Sequence, residues 1–194
     1  MVIASNELEN CRIFLKSLLN IFKKAGNIIT VLFDFNEIFE DLKPFTNSYC
    51  NKDYSDFLDS IIKFAETKIA NTQYNLTIFI TGVEKYKDMI DESKIDELND
   101  TLKKIPNSNI IYVDDVFKLK KMIFEPWYSD YVVNSNGIWI GSGVGEQSVL
   151  RASTITKKHN LVLKNNFAWI FKNGDTELIK IVECEGENEE QNTN

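Results

Sequence analysis

The stretch MVIASNELENCRIFLKSLLNIFKKAGNIITVLFD, residues 1–34, decides the fold. Residues 1–4 are apolar and short, as in a buried strand. From Leu8 the apolar positions recur at helical spacing (Leu8, Cys11, Leu15, Leu18, Leu19, Phe22), which predicts a helix with one buried face. Asn6 is placed to cap that helix, with Glu9 three positions on, and Gly26 follows the basic turn Lys23-Lys24 as its stop. Residues 28–33 then run apolar at every position but Thr30 and end at Asp34. A strand apolar on both faces belongs in a parallel sheet covered on both sides.

The alternation continues down the chain. An irregular stretch, 36–53, holds Pro44 and several Asn; Phe57, Leu58, Ile61, Ile62, Ala65 and Ile69 then mark a second helix. Residues 76–80 read as the third strand. It runs into Thr81-Gly82 and a loop over 84–91, followed by a helix with Ile95, Leu98, Leu102 and Ile105 that stops near Pro106. Residues 109–113 form the fourth strand, ending in Asp114-Asp115, before a short helical turn over 116–122. Strand and helix in alternation predict a three-layer α/β domain with a mainly parallel sheet and right-handed crossovers. Beyond residue 140 the character changes. GSGVG at 141–145 is a loop, 146–166 is ambiguous, and FAWIFK (167–172) and TELIKIV (176–182) flank Asn173-Gly174 as a hairpin with a primed turn. One α/β domain is expected over 1–182, with an acidic disordered tail over 183–194.

Composition narrows the function. With 194 residues, 43% hydrophobic and 26% charged, the chain suits a folded domain, and its longest apolar run, IITVLF, falls far short of the roughly 20 residues of a membrane helix. The net charge of −7 is unevenly placed: residues 1–182 hold 22 basic and 24 acidic groups, while Glu183, Glu185, Glu187, Glu189 and Glu190 give the last twelve residues −5. Only Arg12 and Arg151 are arginines, too few for a surface that grips phosphates, so nucleic acid is not an expected partner. Cys11, Cys50 and Cys184 lie far apart, without a CxxC pair and with His159 as the one histidine; no metal site is expected, and free thiols fit a reducing compartment. The start MVIASNELEN has neither the basic region nor the apolar run of a signal peptide.

A strand, a turn and a helix at the start of an α/β chain is where phosphates are commonly held, on free helix N–H groups. Here the turn is Ser5-Asn6-Glu7, without glycine and with an acid at its mouth, and GxxxxGK[ST] is absent. A plain capped helix start is the favoured reading. The strand-end acids Asp34, Asp114 and Asp115 sit where parallel sheets gather functional groups, but without a phosphate loop a metal has no nucleotide to bridge, and capping the next helix is their commoner role. Gly141, Gly143 and Gly145 do not fit the dinucleotide fingerprint, since Glu146 stands where a glycine is required. Cys11 falls on an apolar helix face and His159 in a polar stretch, as an ordinary buried thiol and surface histidine. Trp127, Tyr128, Tyr131 and Trp139 cluster near a proline; they fit a core, and when exposed, aromatics of this kind anchor a peptide.

The order of elements, EPWYSDY at 125–131, NGIWIGSGVGEQ at 136–147 and the closing hairpin FAWIFKNGDTELIKIV together resemble the C-terminal, degenerate FtsK/SpoIIIE-like ATPase domain of the type VII secretion motor EssC. The resemblance implies a RecA-like fold of P-loop NTPase type. It would place Ser5, Asn6 and Glu7 where active motors carry the Walker A loop, and Thr81 with Glu84 where they carry the Walker B acids. Both catalytic elements depart from the family pattern, so no catalytic residue carries over and ATP binding is expected to be weak or absent. What is implied is a non-hydrolysing domain that recognises substrate or regulates its neighbours. Its expected partners are small helical-hairpin secretion substrates, through their C-terminal signal, and neighbouring ATPase domains of the same motor; Trp127, Tyr128, Trp139, Gly141 and Gly143 are the candidate contacts. Its expected place is the cytoplasmic face of the cell membrane, as a soluble part of a membrane-anchored protein. The rival is an independent small α/β enzyme that uses Asp34 or Asp114 with the GSGVG loop on a nucleotide or phosphorylated metabolite.

Overall fold

A computed structural model describes residues 1–67, 69 and 73–182; the expected tail over 183–194, with Cys184, lies outside them. The strands are β1 (Val2–Ser5), β2 (Ile28–Asp34), β3 (Ser48–Cys50), β4 (Asn75–Thr81), β5 (Ser108–Asp115), β6 (Gly137–Ile140), β7 (Phe167–Lys172) and β8 (Asp175–Lys180). They form one sheet in the order β3-β2-β4-β5-β1-β6-β7-β8. The strands from β3 to β6 in this order are parallel, and β7 and β8 run antiparallel beyond β6. The three-layer, mainly parallel sheet with a C-terminal hairpin is therefore as the sequence implies.

Alternation along each strand sends neighbouring side chains to opposite faces. Val2 and Ala4 join Phe33, Ile78 and Tyr112 in one core, while Ile3 joins Leu32, Phe79 and Val113 in the other. The second core is covered by α1 (Arg12–Ala25) and a 3-10 turn at Glu40–Phe45. The first is covered by α2 (Tyr54–Thr67), α3 (Val83–Met89), α4 (Glu92–Lys104), α5 (Val116–Met122) and the single turn α6 (Pro126–Ser129). Gly26 closes α1 at φ +74°, its N–H reaching the Phe22 carbonyl at 3.4 Å.

Four sequence expectations change. Asn6 does not cap α1, which starts only at Arg12 after a 3-10 turn at Leu8–Cys11; Asn6 donates instead to the Ser142 carbonyl, and Glu9 pairs with Arg12. The region 36–53 holds β3, which lies parallel to β2 at the sheet edge and is too short to show a period. Residues 84–91 form mostly helix: Val83 and Tyr86 bury one side of α3 within two turns. His159 is 3% exposed, with its ring stacked on Trp169 at 4.7 Å, so it is no surface group.

Candidate functional site

The carboxyl ends of β1, β2, β4 and β5 meet at one edge of the sheet, where parallel α/β domains place their ligands. A cleft of about 670 Å3 opens there, lined by Asn6, Glu7 and Glu9 from the turn after β1, Asn36 and Ile38 after β2, Glu84 on α3, and Asp115, Phe117, Lys118 and Lys121 at α5. Two resemblance-implied sites, the turn at 5–7 and Glu84, are thus brought to one place. Lys118, Lys121 and the 71% exposed Phe117 were not singled out from sequence. Their signal was the run VFKLKKM directly after a strand-end Asp-Asp.

The turn after β1 is closed on itself. A phosphate loop needs about eight residues with free N–H groups aimed inward. Here β1 ends at Ser5 and the 3-10 turn begins at Leu8. The Ser5 hydroxyl donates to the Glu7 carbonyl, and the Asn10 N–H donates to the same carbonyl at 3.0 Å. Arg12 is spent on structure: it pairs with Glu9 and Asp41, donates to the Ile38 carbonyl and lies over the Phe39 ring. The cleft is lined by four carboxylates, Glu7, Glu9, Glu84 and Asp115, and by Lys118 and Lys121. Lys121 is paired with Glu84 at 2.5 Å, Lys118 with Asp115 at 3.0 Å, and Glu9 with Arg12. Both lysines thus already have a carboxylate partner.

The strand-end acids are builders of the edge. Asp34 is fully buried; its carboxylate accepts from the Phe39 N–H at 2.7 Å, the Tyr49 hydroxyl at 2.8 Å and the Thr81 hydroxyl at 3.0 Å. Thr81 is therefore a strut between β2 and β4. Asp114, also fully buried, accepts from the N–H groups of Val83 and Asp115, both at 2.8 Å, so it holds the start of α3. Burial raises its pKa above the ordinary 3.8. Asp115 caps α5 in the expected manner, accepting from Phe117 and Lys118 N–H at 3.0 Å. Burial likewise pushes the Cys11 thiol up to about 12, which removes it as a nucleophile at neutral pH. Among the described residues, no group of three His, Cys, Asp or Glu side chains is placed to hold a metal ion.

Comparison with solved structures decides the fold. The chain superposes over 95% of its length on the cytoplasmic domain of EssC, with a TM-score of 0.67 and 10% identity, covering 39% of that chain. It matches EssC (ATPases 2 and 3) from Geobacillus thermodenitrificans at a TM-score of 0.66 and 12% identity, and Thermomonospora curvata EccC (ATPases 2 and 3) in complex with a signal sequence peptide at 0.62 and 13%. Each match covers 95% of this chain and 37% of the other. The fold is RecA-like. No protein-family model and no curated protein sequence matches the chain. The chain spans less than two fifths of the EssC and EccC chains it matches.

The glycine loop after β6 is pinned beside the cleft. Gly141 and Gly143 take φ +80° and +87°, and a Cβ on Gly143 would lie 3.2 Å from the Asn6 amide. The Trp139 indole N–H donates to the Ser142 carbonyl at 2.9 Å, and the Ser142 hydroxyl is bonded to both the carbonyl and N–H of Leu163. Gly143 lines a separate cavity of about 240 Å3 with Asn6, Phe117 and Lys120, not one shared with Asp34 or Asp114. The aromatic candidates are core: Trp127 and Tyr128 are 2% exposed and Trp139 0%. Trp127 packs edge-on against Tyr86, Tyr112 and Tyr128 at 5.6–5.8 Å, because α6 turns its rings under α4. As open anchors for a peptide these three side chains are ruled out by their burial.

Proposed function

We propose that this chain is a non-hydrolysing, degenerate FtsK/SpoIIIE-like ATPase domain of a type VII protein secretion motor, acting in substrate recognition or in regulating the translocase. The observation that carries the non-hydrolysing half is the turn after β1: two residues long, locked by Ser5 on the Glu7 carbonyl, and set in a cleft where Glu7, Glu9, Glu84 and Asp115 outnumber Lys118 and Lys121. A nucleotide has no N–H cradle there, and the strand-end acids are engaged in helix starts and strand struts rather than free for a metal. The motor half is supported by the likeness in fold to EssC and EccC over 95% of the chain together with the resemblance in sequence. One of those EccC structures holds a signal sequence peptide, which supports a secretion signal as partner, and neighbouring ATPase domains as a second class of partner. No described helix is long and apolar enough to cross a membrane; placement at the cytoplasmic membrane face would come through the parent protein.

Calorimetric titration of the domain with MgATP tests the reading. No heat of binding is expected up to millimolar nucleotide. Micromolar binding, or a turnover lost in Glu84→Gln, would sink it.

A further inference from the structure

A hollow of about 840 Å3, larger than the strand-end cleft, lies at the other end of the sheet. It is lined by Lys158, His159, Leu161, Trp169 and residues 174–178, of which Thr176 and Leu178 share the Trp169 face of the hairpin. The His159 ring is fixed by the Thr156 N–H at Nδ1 (2.9 Å) and by the Thr176 hydroxyl at Nε2 (3.0 Å), so the hollow is a built feature of the hairpin.

Three observations converge on it. β8 is the outermost strand and, among the described residues, is bonded to β7 alone, which leaves its outward backbone groups open to another strand. Apolar surface stays open beside that edge, where Leu161 is 47% exposed and Leu178 37%; Trp169, paired with Leu178 in the hairpin, is itself buried, and its indole N–H has no acceptor among the described residues. Asp175 and Glu177 belong to no ion pair among the described residues, and strand alternation sets them on the face of β8 opposite Leu178.

We propose that this hollow is the docking site for an extended segment of a partner protein, added to the edge of β8 as a ninth strand. An apolar side chain of the segment seats over Trp169 between Leu161 and Leu178. The next residue of the segment, basic and turned to the opposite face by strand alternation, meets Asp175 and Glu177 there. Main-chain pairing supplies affinity and the alternate side chain supplies selectivity. Charge argues against the chain's own residues 183–194 as the occupant, since they carry five Glu and no basic group. This inference rests on the recognition role proposed above but names a place for it, and the two fail separately.

The test uses the full chain, isotope-labelled for backbone NMR, with a short synthetic peptide alternating valine and lysine and a control in which glutamate replaces lysine. The expected result is saturable shifts of amides at 175–180 and 154–161 with the lysine peptide, and weaker ones with the control. Leu178→Asp should weaken binding about tenfold or more by removing the apolar seat, and Glu177→Lys about two- to fivefold through lost charge pairing. Phe117→Ala, at the other cleft, should change nothing. The proposal is overturned by no shift at the hairpin up to millimolar peptide, or by shifts that track Glu7, Glu84 and Asp115 instead; the latter would leave recognition standing at another site. It is also overturned if deleting residues 183–194 alone shifts the hollow's amides, or if those amides shift with protein concentration, which would make the tail or a second copy the occupant.

Discussion

Asp34 and Asp114 show how a carboxylate at a strand end can be fully used without chemistry. Each is buried and accepts two or three hydrogen bonds, Asp34 from Phe39, Tyr49 and Thr81 and Asp114 from Val83 and Asp115. For Asp114 the consequence is measurable in pH. Its pKa in the folded protein lies above the ordinary 3.8, with burial as the main cause, so ionisation is harder in the fold than in the open chain. Stability due to this group is then greatest in acid and declines as pH rises from about 3.8 through the folded value. Asp114→Asn lacks this titration. In urea titrations over a pH series, the unfolding free energy of the wild type minus that of the variant should fall as pH rises through this window; a flat or rising difference would refute the account.

At the scale of elements, the hairpin depends on its turn. Asn173 and Gly174 both take positive φ, +52° and +86°, and a Cβ on Gly174 would lie 2.3 Å from the Ser153 hydroxyl. Gly174→Val should therefore cost about 2 kcal/mol or more in chemical unfolding, whereas Asn173→Gly should be near neutral. If both variants unfold alike, backbone strain and the Ser153 contact do not decide this turn. This turn was legible in the sequence because Asn-Gly between two apolar runs has a local mechanism. So was β2, whose unbroken apolar run could only be a strand covered on both faces. The edge strand β3 was not, since three residues carry no period and only the parallel pairing with β2 makes it a strand. Part of the site was legible for the same local reason: the missing glycines at 5–7 pointed to a short ordinary turn, and two residues are what separate β1 from the 3-10 turn. Burial of Trp127, Tyr128 and His159 was not, because it depends on helices and an arm arriving from elsewhere in the chain.

Across the whole molecule, two apolar cores separated by one sheet hold the domain, and two of its openings sit at opposite ends: the acid-lined cleft after β1 and the hollow beside β8. The first lies at the carboxyl ends of the parallel strands and the second beside the hairpin beyond β6. Because the cleft lacks a cradle, a thermal melt in excess MgATP should superpose on the melt without it. An upward shift of several degrees would mean that the native state binds nucleotide after all.

The lock between Ser5 and the Glu7 carbonyl, with Arg12 tied to Glu9, Asp41 and Ile38 beside it, has a consequence for a cell whose energy supply varies. Domains that rely on a bound phosphate to order this turn loosen when nucleotide runs short. Here the turn is held by covalently attached side chains, always at full effective concentration. Its rigidity should thus be the same in starved and growing cells.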